Sequence, residues 1–143
     1  MAEVVILEGT ATINNGAIKE GIDFLNNTRK GLLVVVVHFH KKESQLFAIQ
    51  DEYPKMILEE LMTLGLKEKQ IKIISVPIND HPITFTEAKF VITILAKEGI
   101  RDAVLLSEGF HTRRSLAVYR QEGKRFHISF KSHPFFIRYQ KEN

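Results

Sequence analysis

Six consecutive aliphatic residues, Leu32-Leu-Val-Val-Val-Val37, place the tightest constraint on what this chain can fold into. The run is β-branched over its second half and has no polar residue at either alternating position. It therefore suits a strand buried on both faces, which is characteristic of parallel sheets covered by helices on each side. The remaining chain supplies the matching parts. Val4 to Leu7 is a second β-rich run, closed by Glu8-Gly9-Thr10. Asn14-Asn15-Gly16 starts a helix whose apolar positions Ile18, Ile22 and Leu25 recur at four and three residues, ending near Asn26-Asn27.

His38-Phe39-His40-Lys41-Lys42 is read as the end of the Leu32 strand. Asp51 to Leu64 reads as a second helix, with Pro54 near its first turn, a stripe of Ile57, Leu61 and Leu64, and Gly65 as C-cap. Ile71 to Val76 is a further strand, followed by a loop from Pro77 to Pro82. Thr84 to Ala96 is a third helix ended by Gly99, and Ala103 to Leu106 a buried strand broken by Ser107-Glu108-Gly109. A fourth helix begins close to His111 and runs to about Gln121. Phe126 to Phe130 alternates with period two as a fifth strand, and Ile137-Arg-Tyr139 is a candidate short edge.

Strand and helix thus alternate four times with short connections, which predicts one α/β domain over residues 1–143 with a mainly parallel sheet. In such sheets ligands bind beyond the carboxyl ends of the strands. That rule selects the loops at Glu8 to Thr10, His38 to Lys42, Asn79 to Thr84 and Ser107 to Arg114.

The last of these is the most informative. An apolar strand running into a helix start aims unpaired backbone N–H groups and the positive end of a helix dipole at whatever lies beyond. His111, Arg114 and Ser115 are three and four residues apart, so they are expected on one helix face. Arg in a first turn opposes the dipole by a few tenths to about 1 kcal/mol, which makes sense if the guanidinium grips an anion there. An ion pair with Glu8 or Glu108 is the competing explanation. Thr84-Phe-Thr-Glu87 matches a capping box, which by itself accounts for both end residues. His38-x-His40 can supply two metal ligands, but no Asp or Glu stands at a fixed short spacing, and no metal is assigned.

Composition narrows the rest. There is no cysteine, so disulfides and thiolate chemistry are out. The longest apolar run is too short to span a bilayer, and no basic segment precedes an apolar one at the N-terminus, so a cytoplasmic location is expected. Net charge is only +3, yet eight of the ten charged residues after Gly109 are Lys or Arg. That bias reads first as a solvated surface, and nucleic acid is not an expected partner. Neither G-x-G-x-x-G nor G-x-x-x-x-G-K-[ST] occurs, which argues against classical dinucleotide and P-loop chemistry, and G-x-S-x-G is absent.

Leu105-Leu-Ser-Glu-Gly-Phe-His-Thr-Arg-Arg-Ser115 resembles the V-T-S-x-F-H-x-x-R-A signature of the SanA/YdcF-like family, a bacterial domain of unknown function. Val4-Val-Ile-Leu-Glu-Gly9 is similar to that family's opening V-V-L-G-G run, and Ile83-Thr-Phe-Thr-Glu-Ala88 to its N-T-x-E-N-A element. On that resemblance His111, Arg114, Thr84 and Gly9 carry over, while Glu8 replaces a glycine. His38-Phe39-His40 stands where the family has S-G-G, Ile78 and His81 replace a Glu and a Ser, and the family's Asn falls on Glu87. The resemblance implies a Rossmann-like fold, a three-layer α/β/α sandwich around a five-stranded sheet, with a pocket at the strand ends. It also implies a link to cell-envelope polysaccharide metabolism and, for one branch, S-adenosylmethionine as a candidate cofactor.

Together these readings predict a small anionic ligand (a nucleotide, an S-adenosylmethionine-like molecule or a phosphosugar) at the sheet's carboxyl edge. Glu8, Gly9, Thr10, His38, Thr84, Ser107, His111 and Arg114 would line the site, with His111 as candidate acid–base. The rivals are a hydrolase or transferase acting on such a ligand, and a non-catalytic module that binds a protein or nucleic acid through Lys124 to Lys141.

Overall fold

β2 (Leu32–His40) contains the aliphatic run and lies second in a five-stranded, all-parallel sheet of order β3-β2-β1-β4-β5. The computed structural model describes residues 4–8, 15–26, 31–40, 47–78, 83–108 and 112–135. The partners of β2 are β1 (Val4–Leu7) on one side and β3 (Ile71–Ile78) on the other. Beyond β1 come β4 (Asp102–Glu108) and the edge strand β5 (Ser129–Phe135).

The parallel pairing requires crossover helices, and these divide between the two faces. Val5, Leu7, Leu33, Val35 and Val37 point to one face, where α1 (Asn15–Asn26) contributes Ile18, Ile22 and Leu25, and α2 (Phe47–Thr63) contributes Ile57 and Leu61. The alternate residues Val4, Ile6, Val34 and Val36 point to the other face. They meet Ala88, Val91, Ile92 and Leu95 of α3 (Ile83–Lys97), and Tyr119 of α4 (Thr112–Phe126). The result is an α/β/α sandwich of Rossmann-like form. Each fully buried aliphatic side chain contributes about 1.5–3 kcal/mol, so the doubly covered β2 fixes the register of its neighbours.

β1 sends its chain to the α1 face and β4 sends its chain to the α4 face. The adjacent pair β1/β4 is therefore the topological switch point, where a crevice opens at the carboxyl edge of such a sheet.

Several element bounds differ from the sequence expectation. β2 continues through His38 to His40, and β3 through Pro77 to Ile78, because the two strands pair with each other along that whole length. Pro77 lies on an edge strand, where a missing N–H is tolerated. β4 runs on through Ser107 to Glu108, paired with β5. α2 starts at Phe47, which puts Pro54 inside the helix and not in its first turn. α4 continues to Phe126, so β5 begins at Ser129 and not at Phe126. The candidate edge at 137–139 lies outside the described residues.

Two glycines are explained by geometry. Gly99, at φ +77°, ends α3 while the Ile100 N–H donates to the Leu95 carbonyl at 3.1 Å. Gly123 lets α4 pass close to β5, since a Cβ there would lie 2.6 Å from the Ile128 carbonyl oxygen and 2.7 Å from the Phe130 ring.

Candidate functional site: a buried carboxyl cluster at the switch point

The inward series on β1 is Val4, Ile6, Glu8, and on β2 it is Val34, Val36, His38. Strand alternation therefore carries two titratable residues to the α3/α4 face at the carboxyl edge. The helices above supply matching groups. Glu87 lies on the inner side of α3, in its second turn, beside Ala88. Ser115 and Tyr119, four residues apart, lie on the inner stripe of α4. Glu8 is 4 % exposed, Glu87 2 % and Tyr119 0 %, so these polar groups must be satisfied by one another.

They largely are. The Ser115 hydroxyl donates to Glu8 Oε2 at 2.9 Å. His38 Nε2–H donates to Glu87 Oε1 at 2.6 Å, and the Tyr119 hydroxyl donates to Glu87 Oε2. Tyr119 also packs edge-on against Phe130, with ring centroids 5.3 Å apart. The histidine is the end of this chain nearest solvent, with its side chain 19 % exposed.

One atom stands apart. Glu8 Oε1 is buried without a hydrogen-bond partner among the described residues. Burial first, and the charge of nearby Glu87 second, raise the Glu8 pKa from an ordinary 4.5 to about 8, against the lowering effect of the Ser115 bond. At neutral pH Glu8 is thus a carboxylic acid, with one oxygen accepting from Ser115 and the other available to carry the proton. Burial and the same Glu87 charge push the Tyr119 phenol well above its usual value, so it stays a donor. The arrangement pairs a proton-holding carboxyl with a carboxylate-oriented imidazole on adjacent strands.

No family model matches the chain, and no curated protein does.

Of the residues predicted for the site, the structure brings Glu8 and His38 into this cluster. Arg114 is exposed in the first turn of α4 while its neighbour Ser115 points inward, so the two do not share a face. Arg114 has no ion pair with Glu8, whose Oε2 accepts from Ser115. Thr84 lies inside α3, which begins at Ile83, so it is not the residue that caps this helix, and Glu87 binds His38 and Tyr119. The backbone of Ser107 belongs to β4. Gly9, Thr10 and His111 lie outside the described residues. No three His, Asp or Glu side chains gather to hold a metal ion among the described residues.

Sequence reasoning missed Glu87, Ser115 and Tyr119 as partners. A signal was present: among the inward residues of α4, Ser115, Tyr119 and Glu122 are polar, interleaved with Leu116, Val118 and Phe126, which pack on the core.

Proposed function

We propose that this domain binds a small anionic ligand at the β1/β4 switch point, with neutral Glu8 as the hydrogen-bond donor to a ligand oxygen. The observation that carries this reading is the unpartnered, buried Oε1 of Glu8 at the carboxyl end of a central strand. A carboxyl that holds its proton at pH 7 does not repel an anion, and its free O–H calls for an acceptor. The start of α4, with Arg114 in its first turn, adds positive potential at the same sheet edge. A nucleotide, a phosphosugar or S-adenosylmethionine each presents such an acceptor. Membership of the SanA/YdcF-like family, with its envelope-polysaccharide link, belongs to the same proposal.

A second reading is favoured by the His38–Glu87 bond. With Nε2 bonded to Glu87, the His38 imidazole is held in one orientation on the strand next to Glu8, whose carboxyl can give a proton. That is the equipment of a hydrolase or transferase acting on the bound ligand.

The test is a thermal-shift series with inorganic phosphate, mononucleotides, sugar phosphates and S-adenosylmethionine, with and without divalent cations. A ligand at about 100 times its Kd stabilises by about 2.7 kcal/mol. Arg114→Ala should weaken a compound that does so by about 1–3 kcal/mol, and Glu8→Gln should weaken it as well. A ligand whose calorimetric affinity is untouched by both changes binds elsewhere and removes the assignment.

A further inference from the structure

The two helical layers differ sharply in charge. Among the described side chains of the α1/α2 layer, the exposed charged residues are Lys19 and Lys55 against Asp23, Glu59 and Glu60. On α4 the exposed charged residues are Arg113, Arg114, Arg120, Lys124 and Arg125, with no exposed acid. Its single acid, Glu122, is buried and reaches only Arg125, at 3.6 Å. The neighbouring α3 exposes Lys89 and Lys97 and again no acid.

Helical spacing organises these cations. Arg113, Ala117, Arg120 and Lys124 follow one another at four, three and four residues, and Arg114, Gln121 and Arg125 form the adjoining row. Arg120 is fixed in place, its Nε donating to the Phe130 carbonyl at 3.0 Å. Arg113, Arg114 and Lys124 have no ion-pair partner among the described residues. The fifteen residues of α4 span about 22 Å at 1.5 Å per residue, which matches about six phosphates of one strand of a duplex.

We infer that the outward face of α4 is a binding surface for a nucleic-acid backbone. Four of its five cations are arginines, whose forked guanidinium suits phosphate oxygens. The outward rows contain no large apolar side chain, only Ala117 and Gln121 between the cations, so this face has nothing to insert into a bilayer. Composition alone favoured a solvated surface; it is the gathering of unpaired cations along one helix that changes the reading.

The experiment is fluorescence anisotropy of the full chain with a labelled 20-base-pair DNA duplex, a 20-nucleotide RNA, and phosphatidylserine-containing vesicles. Neutralising four phosphates gives a slope of log affinity against log salt near −3.6, or about a 150-fold loss between 50 and 200 mM salt. The double variant Arg113→Glu/Lys124→Glu should lose at least tenfold in affinity and flatten that slope by about two, while Lys55→Glu on the opposite layer should change affinity less than twofold. If circular dichroism shows the double variant unfolded, Arg113→Gln/Lys124→Gln replaces it with the same expected direction. No binding at 50 mM salt, a slope shallower than about −1.5, an unaffected double variant, or vesicles bound as tightly as nucleic acid would each overturn the inference. The relative affinity for duplex and RNA identifies the form preferred.

Discussion

Replacing Glu8 with Gln should make this protein more stable at neutral pH, although it alters a buried, hydrogen-bonded side chain. In the folded state the Glu8 carboxyl keeps its proton up to about pH 8, whereas in the unfolded chain it ionises near 4.5. Below pH 4.5 both states are protonated and the group is neutral to stability. Between pH 4.5 and 8 the unfolded state gives up its proton and the folded state does not, so stability falls by about 1.4 kcal/mol for each pH unit. The loss reaches about 3 kcal/mol at pH 7 and levels off above pH 8. Glutamine keeps an oxygen for the Ser115 hydroxyl but brings an amide that is less well matched, at a cost of about 1 kcal/mol. The net gain at pH 7 is therefore about 2 kcal/mol. With an unfolding entropy near 0.3 kcal/mol per kelvin for a chain of this size, that raises Tm by about 7 °C. Urea denaturation of both proteins from pH 5 to pH 9 is the assay. The advantage of Glu8→Gln should be absent at pH 5, grow by about 1.4 kcal/mol per unit, and plateau above pH 8. A difference that does not change with pH would mean that Glu8 ionises normally, and the reasoning fails.

Tyr119→Phe removes the donor to Glu87 and leaves a buried oxygen short of a partner, so urea denaturation should show a loss of about 1–3 kcal/mol. Gly123→Ala forces a Cβ against the Ile128 carbonyl and should cost about 1–3 kcal/mol, seen as a lower Tm with unchanged secondary structure by circular dichroism. His127 ends α4 at φ 60°, a left-handed position that costs a non-glycine residue about 1 kcal/mol; His127→Gly should recover most of it in the same denaturation assay.

The β2 run and the four alternations were sufficient to read the sandwich from the sequence, because strands covered on both sides leave long aliphatic runs. The errors cluster where chemistry begins. Each of β2, β3 and β4 ends two or three residues later than its apolar run, since the carboxyl ends carry His38, Pro77, Ser107 and Glu108 in place of aliphatics. Backbone pairing continues there after the hydrophobic signal has stopped. Phe126 was misplaced for a different reason: an aromatic beside Ile128 and Phe130 mimics strand alternation, yet it forms the last residue of α4 and packs on the core from there.

The site was half legible. Glu8 and His38 follow from extending the strand alternation by one step past Ile6 and Val36. Glu87 was hidden by its fit to a capping box, a local explanation that gives no sign of its tertiary contacts with His38 and Tyr119. Arg114 and Ser115, adjacent in sequence, point to opposite surroundings, one to solvent and one to Glu8, and only the placement of α4 on the sheet decides which.

The account rests on a protonated Glu8 at the switch point. Carbon-13 NMR of the Glu8 side-chain carboxyl, followed from pH 4 to pH 10 with Glu8→Gln to assign the signal, measures it directly. A titration midpoint near 8 is the predicted result; a midpoint between 4 and 5, with the carboxylate already ionised at neutral pH, would contradict it.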